Sequence, residues 1–218
     1  MYVGYMYTNG KNHGLSISSV IKKANDDFYK SKIASYASYI DTSQGFCGDR
    51  GTLSNQSNAG IDKTLTYYKG YLRALESDPT LKCENNLDYY TATNTSNGNS
   101  VLTYPIGLVT VDEAILAGSG GGFFDGTYYY QKTNKNGYLI NGYEFWTMTP
   151  VNGANRIDTG EWYSSVFTIL DSKSKSYGGL DDTNTAIRSI TIRPVINLKG
   201  TLKFTGNGTK NNPYVPSL

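Results

Sequence analysis

Histidine, cysteine, charge and long apolar runs are all scarce in this chain of 218 residues, and each scarcity removes a class of function. The single histidine, His13, lies between Asn12 and Gly14 with no Ser, Cys or Asp pattern that would make it a general base, so it reads as a turn residue. The two cysteines, Cys47 and Cys83, form no Cys-x-x-Cys pair and have no histidine partners at metal-ligand spacing, which excludes a zinc site. They predict one disulfide, worth about 3–4 kcal/mol by the loop-entropy argument, with two buried reduced thiols as the alternative. Charge is sparse and balanced: 20 basic and 18 acidic residues give a net +2, which leaves no electrostatic footprint for nucleic acid or an anionic membrane. No run approaches the roughly 18 apolar residues of a membrane-spanning helix, so no membrane insertion is expected of this segment. The first residues lack the basic and apolar regions of a secretory signal, so the chain is either cytosolic or part of a longer exported protein.

What the chain does contain points to the second of these. Its 20 Tyr and 24 Gly, with abundant Asn, Ser and Thr, form the palette of β-rich extracellular surfaces, where tyrosine supplies a stiff amphipathic contact area. The bland counterpart is a tyrosine-rich β-protein from an AT-rich genome. At this length one domain is expected, burying roughly 70% of its unfolded surface.

The N-terminal half reads as helical. After a short strand at 2–7, Ile17, Ile21, Ala24 and Phe28 recur at helical spacing and predict a helix over 17–32, continued over 33–40 with Tyr36 and Tyr39 packed inward. A second helix is expected over 65–76, where Tyr68, Tyr71, Leu72 and Leu75 share a face, stopped by Asp78-Pro79. Residues 83–99 read as loop and 101–105 as a strand. Thr110-Val111-Asp112-Glu113 is a capping box that opens a short helix over 112–117 with a structural role for Thr110 and Glu113. The glycine-rich 118–126 follows a helix instead of a strand and lacks the Gly-Lys-Ser/Thr ending, so it is a loop and no phosphate cradle; Tyr128-Tyr129-Tyr130 reads as a strand.

Residues 143–198 organise the rest. Phe145–Thr149, Val166–Ile169 and Ile190–Leu198 are apolar β-rich runs separated by long polar loops, the pattern of a sheet that displays loops. Trp146 and Arg193 are assigned to the scaffold, with the Arg193 guanidinium expected on a carboxylate or on loop carbonyls. The loop 150–165 supplies ligand-binding candidates Asn152, Asn155, Arg156, Glu161, Trp162 and Tyr163, because large aromatics in polar loops anchor protein and sugar contacts. The loop 171–189 adds Tyr177, Asp181, Asp182 and Asn184.

Other constellations are weaker. Asp181, Asp182 and Asn184, with Asp158 and Asp171, carry oxygen ligands for Ca²⁺ but do not match EF-hand spacing, so no metal or cofactor is favoured. Ser19-Val20-Ile21-Lys22 and Ser172-Lys173-Ser174-Lys175 match Ser-x-x-Lys, yet the companion Ser-Asp-Asn and Lys-Thr-Gly elements are missing and catalysis is not expected.

Phe46-Cys47-Gly48-Asp49-Arg50, Leu81-Lys82-Cys83, the run from Leu102 to Ala114, Phe145-Trp146-Thr147-Met148-Thr149-Pro150 and the run from Ile192 to Lys199 resemble a family of bacterial surface proteins whose members often begin with a prepilin-like anchor helix. The order of two helices, a Trp-Thr-x-Thr strand, a Val-Phe-x-Ile strand and an Arg-Pro-Val-Ile strand is similar to the C-type-lectin-like fold of formylglycine-generating-enzyme-like domains and of variable proteins of diversity-generating retroelements. This resemblance implies an α+β fold of two or three helices on a small, mostly antiparallel twisted sheet. It implies one domain over 1–205, helical to about 100 and β-rich over 101–205, with an extended tail at 206–218. Nothing after Cys83 corresponds to the catalytic cysteines of the sulfatase-modifying relatives, and the Glu-Pro-Asn, Gln-Pro-Asp and Trp-Asn-Asp signatures of calcium-dependent lectins are absent. The expectation is a non-catalytic binding or adhesion module of an exported surface or pilus-associated protein, meeting a protein or glycan through 150–165 and 171–189. The alternative is an assembly subunit of a surface appendage or phage particle.

Overall fold

The computed structural model of the chain describes residues 20–53, 65–93, 96–119, 138–139, 142–155, 162–170, 179–181 and 189–217. The expected strands at 2–7 and 128–130, the helix start at 17–19 and most of the glycine-rich loop lie outside them. The architecture is α+β, with short helices set around several small antiparallel sheets.

The first helix, α1 (Val20–Phe28), passes into a π-helical turn, Tyr29–Ile33, and a 3₁₀ segment, Ala34–Tyr39. Its buried stripe is Ile21, Asn25 and Tyr29, one residue round from the expected Ala24/Phe28 face, and Phe28 is exposed. The wider π turn keeps Ile33 in line with this stripe, where it packs with Tyr29, Ile40 and Ile106. Tyr36, expected to point inward, faces solvent because the 3₁₀ segment buries none of its residues.

The central sheet has the order β2-β4-β5-β6, all neighbours antiparallel: β2 (Leu65–Tyr67), β4 (Phe145–Asn155), β5 (Trp162–Leu170) and β6 (Gly179–Asp181). Side chains alternate across it. Phe145, Val151, Phe167, Ile169 and Leu180 meet Ala74 of α2 (Lys69–Glu76) and Val111 and Ala114 of α3 (Val111–Leu116). Trp146 and Val166 meet Ile21 of α1, Leu108 and Ile190 on the opposite face. The sheet is therefore covered on both sides, and Trp146, wholly buried, is scaffold.

Four segments differ from their expected form. Leu65–Tyr67 is a strand and the helix begins only at Lys69, because pairing with β4 outweighs the helical spacing of the tyrosines. Residues 101–105 form turns: Leu102 N donates to Thr91 O, Ile106 N reaches back to Tyr104 O, and Pro105 has no amide hydrogen for a ladder. The run 190–198 is a strap with three isolated bridges, Thr191 to Phe145, Val195 to Gly107 and Leu198 to Ile40. It changes partner every few residues, and Pro194 interrupts its donors, so no continuous strand forms. Residues 206–217 do not trail away: β8 (Val215–Ser217) folds back on β7 (Lys203–Thr205) as an antiparallel hairpin.

Within 83–99, Asn86–Asp88 is a 3₁₀ turn and β3 (Tyr89–Tyr90) pairs with β1 (Phe46–Cys47). The disulfide Cys47–Cys83 spans 36 positions with its Cα atoms 5.5 Å apart and fastens this pair to the segment after α2. The capping box forms as expected. Thr110 Oγ1 accepts from Glu113 N at 3.1 Å, and Glu113 Oε2 accepts from Thr110 N at 2.7 Å.

Candidate functional site

The ligand candidates depend on β4 and β5, which pair from Phe145–Ile169 at one end to Asn155–Trp162 at the other. Residues 150–165 were expected to be a loop, and the structure corrects this. Both strands run on, leaving only 156–161 between them. Pro150 and the Asn-Gly-Ala stretch suggested a break, but the register shifts on either side of Pro150 absorb its missing donor as a bulge and the ladder resumes at Asn152.

The candidates then fall in different places. Asn155 and Trp162 are cross-strand partners at the far end of the hairpin, and Tyr163 pairs with Ala154 beside them. Asn152 is mid-sheet, flanked by Tyr67 on β2 and Ser165 on β5, so it belongs to the scaffold more than to the end of the hairpin. Asp181 is the partner of Thr168, six residues along β5 from Trp162, or about 20 Å at the usual strand rise. Because β5 is antiparallel to both neighbours, the connections 156–161 and 171–178 leave the sheet at opposite ends. The geometry brings Asn155, Trp162 and Tyr163 together and leaves Asp181 apart. Arg156, Glu161, Tyr177, Asp182 and Asn184 lie outside the described residues, as do His13, Ser19, Ser172 and Lys175.

Arg193 donates from Nη1 to Leu139 O at 2.8 Å and lies 5.4 Å from the Phe145 ring centroid, pinning a loop carbonyl against the start of β4. Lys22 is engaged with Asp26 and with Thr103 Oγ1. Among the described residues no three His, Cys, Asp or Glu side chains converge as metal ligands.

A buried charge cluster at the root of the hairpin was not anticipated. Arg73 on α2 grips Asp112, in the first turn of α3, with Nε at 2.7 Å and Nη2 at 2.8 Å, and Nη2 also reaches Asp49 Oδ1 at 2.6 Å. Asp112 additionally accepts from Thr80 N at 3.0 Å. Thr149 of β4 closes the group by accepting from Val111 N at 2.9 Å. Asp49 reaches this position from a left-handed backbone conformation, φ 52°. Gly70 makes room: a Cβ there would collide with the Asp49 carboxylate and the Thr149 methyl, which accounts for a glycine inside a helix. Next to this group, Arg50 pairs with the buried Asp88 and stands 5.4 Å from the Tyr90 ring. The five residues Phe46-Cys47-Gly48-Asp49-Arg50 thus supply a strand pair, a disulfide and two ion pairs. Arg73 carried no local signal, since its carboxylates lie 24 and 39 positions away in sequence.

Two carboxylates share one guanidinium here, away from water. Burial raises Asp49 to about 6, against the opposing pull of Arg73 and with some help from the nearby Asp112 charge. Burial alone would lower Arg73, but its hydrogen bond to Asp112 and its attraction to Asp49 outweigh that and raise it. Arg73 therefore stays charged, and Asp49 holds a proton more readily than an ordinary carboxylate. Burial also raises Asp88 despite Arg50, and raises Tyr90 to about 12.

No protein-family model matches this chain. Nor does it match a curated protein or a solved structure. The geometry of the hairpin and the cluster behind it is therefore the ground for any functional reading.

The cluster fixes the sign of a pH effect. A carboxylate whose folded pKa exceeds its unfolded value stabilises the fold below the unfolded pKa, and that contribution is lost as pH rises through the folded pKa. For Asp49 the window runs from 3.8 to about 6. Asp49 alone should therefore add about 2 kcal/mol of stability against urea between neutral pH and about pH 4, and Asp49→Asn should lack that increment. Asp88 acts in the same direction, while the solvated Asp41, lowered by its hydrogen bonds from Ser43, acts weakly in the opposite one. The difference between wild type and Asp49→Asn isolates Asp49. Parallel pH profiles for the two proteins would contradict the assignment.

Proposed function

We propose that this chain is a non-catalytic ligand-binding or adhesion module of an exported bacterial surface or pilus-associated protein, with a C-type-lectin-like fold. The observation that carries the reading is the end of the β4–β5 hairpin. There Asn155 pairs with Trp162, and Tyr163, the next residue of β5, pairs with Ala154. Both faces of the sheet beneath are buried, and its root is tied to α2 and α3 through Thr149 and the Arg73 cluster. A rigid support under an aromatic-bearing strand end suits recognition, because little ordering has to occur on binding. The Cys47–Cys83 disulfide is consistent with export to an oxidising compartment.

The partner class is a protein or glycan on another surface, and the hairpin end from Asn155 to Tyr163 is its principal contact, with 171–189 secondary because it leaves the sheet elsewhere. The test is to screen the chain on glycan and surface-protein arrays and then assay Trp162→Ala and Tyr163→Ala against the best hit. Each substitution is expected to weaken binding at least about tenfold. Unchanged affinity in both variants would remove the support for this surface. If the chain serves instead as an assembly subunit, light scattering will show mass rising with concentration and the arrays will show no hit.

A further inference from the structure

The chain carries Asn-Gly dipeptides at 9–10, 97–98, 136–137, 141–142, 152–153 and 207–208. A glycine after asparagine leaves its amide nitrogen unshielded, so that this nitrogen can attack the asparagine carboxamide and close a five-membered ring. The pairs at 97–98, 152–153 and 207–208 lie wholly within the described residues, and the fold treats them differently.

Asn152-Gly153 is clamped inside β4. Asn152 is in register with Tyr67 and Ser165, and Gly153 with Thr66 and Ser164, so the backbone cannot turn toward its own side chain without opening the ladder on both sides. Asn97-Gly98 is pinned at its glycine. A Cβ on Gly98 would collide with the Thr91 side chain, and the next amide, Asn99 N, donates to Tyr89 O at 3.0 Å. Asn207-Gly208 is in the turn of the β7–β8 hairpin, where every residue over 203–215 is exposed and Gly208 N donates to no group among the described residues. Isolated two-stranded hairpins are marginal in water, so this turn is also the easiest of the three to flex.

The Asn207 carboxamide is set up for attack. Thr209 Oγ1 donates to Asn207 Oδ1 at 2.8 Å and Thr209 N donates to it at 3.3 Å, and Oδ1 is the atom on which negative charge gathers as a nitrogen adds to Cγ. The same two donors serve a carboxylate better than an amide, so the turn favours the acidic product. Glycine is required at 208, which has φ 76° and where a Cβ would lie 2.6 Å from the Tyr214 ring. The hairpin therefore holds the reactive pair in its most open place.

We propose that Asn207-Gly208 is a self-modification site at which the chain converts asparagine to aspartate and isoaspartate without an enzyme, independent of the β4–β5 end and of the reading built on it. Gly208 N gives its proton to hydroxide and bonds to Asn207 Cγ, while Nδ2 takes a proton from water and leaves as ammonia. A second water then opens the ring, at Cγ to give isoaspartate's counterpart aspartate, or at the main-chain carbonyl to give isoaspartate. Aspartate becomes the first acidic side chain over 183–218. Isoaspartate routes the main chain through the former side chain and adds one backbone atom to the turn that Asn207 N and Asn212 O close at 3.0 Å.

The test incubates the full chain in mildly alkaline buffer made with heavy-oxygen water. Ion exchange follows the acidic species, and peptide mass spectrometry with fragmentation that separates aspartate from isoaspartate locates them. Residue 207 should gain one labelled oxygen as a mixture of the two products, at a rate that rises with hydroxide concentration. Asn152 should react at least about a hundredfold more slowly, since its ladder must open first, and Asn97 about tenfold more slowly. In concentrated urea all three should react at similar rates, which separates the effect of the fold from that of the dipeptide. Asn207→Gln should abolish the product at 207, because its ring closure is the slower six-membered one. Asn207→Asp should elute with the aspartate form and keep the wild-type melting curve. A native Asn207 that reacts no faster than Asn97 or Asn152, or that stays intact while the urea-unfolded chain reacts, would overturn the proposal. Array binding by Trp162→Ala has no bearing on this result, so the two readings are judged separately.

Discussion

Replacing Arg73 by methionine should destabilise the protein by about 3–5 kcal/mol, the range for removing one partner from a buried ion pair. The reason is what stays behind. Asp112 would lose two hydrogen bonds and Asp49 one, leaving two carboxylates under the sheet with Thr80 N as the remaining donor to Asp112 among the described residues. Methionine fills most of the volume, so the loss reports electrostatics and hydrogen bonding more than packing. Arg73→Lys should recover only part, because an ammonium cannot fork to Asp112 while also reaching Asp49. Asp49→Asn should be the mildest change near neutral pH, since it removes the carboxylate that resists ionisation. Urea midpoints at constant m will rank the series. Hydrogen exchange should show the protection lost first around Val111 and Thr149, where the cluster joins α3 to β4. A cost below about 1 kcal/mol for Arg73→Met would mean that the cluster does not hold the hairpin root.

The parts of the fold legible in the sequence were those whose causes are local. The capping box at Thr110 and Glu113 is a four-residue device, and it forms as read. The apolar runs Phe145–Thr149 and Val166–Ile169 read as strands of the scaffold, and they lie within β4 and β5, packed on both faces. Failures occurred where a distant partner decided the outcome. Leu65–Tyr67 has helical spacing with the residues that follow, but the free edge of β4 recruits it as a strand. Residues 190–198 have strand composition, yet their partners Phe145, Gly107 and Ile40 belong to three different parts of the chain. Pro150 and Gly153 resemble a loop to any local reading, and only the register with Val166 and Ser164 shows a bulged strand.

For the ligand candidates the structure supplies positions. Trp162 and Tyr163 stand out by composition, and they lie at one end of the β4–β5 hairpin, where Trp162 pairs with Asn155. That Asn152 and Asp181 lie elsewhere on the sheet could not be read from spacing, because each extension of a strand by a few residues moves a position from loop to ladder. The Arg73 cluster was invisible for the same physical reason as the strap: three of its members, Asp49, Arg73 and Asp112, meet only after α2 and α3 have packed on the sheet. Asp49 stands in the Phe46–Arg50 run and Asp112 in the capping segment, with nothing local to connect them.

Removing the disulfide through Cys47→Ala with Cys83→Ala should lower stability by about 3–4 kcal/mol, the loop-entropy value for a closed loop of this size. For a chain of this length that corresponds to a melting temperature about 10 °C lower. The native structure should nevertheless survive, because the same segment is fastened in other ways. Phe46 and Cys47 pair with Tyr90 and Tyr89, Gly48 N donates to Asp88 O at 2.8 Å, and Arg50 holds Asp88 through its backbone amide and its guanidinium. The cross-link acts chiefly on the unfolded chain, so the variant should keep the wild-type circular dichroism and unfold with a larger m-value as its denatured state expands. Combining it with Arg73→Met tests whether the two fastenings are independent. Cys47 and Asp49 are two residues apart on one segment, so removing both should cost less than the two single costs added together, as the freed segment can then detach as a unit. Strict additivity would mean that the segment is held by its core contacts at Phe46 and not by these two bonds. A thiol assay on denatured, unreduced wild type should find no free cysteine, and two reactive thiols would remove the premise.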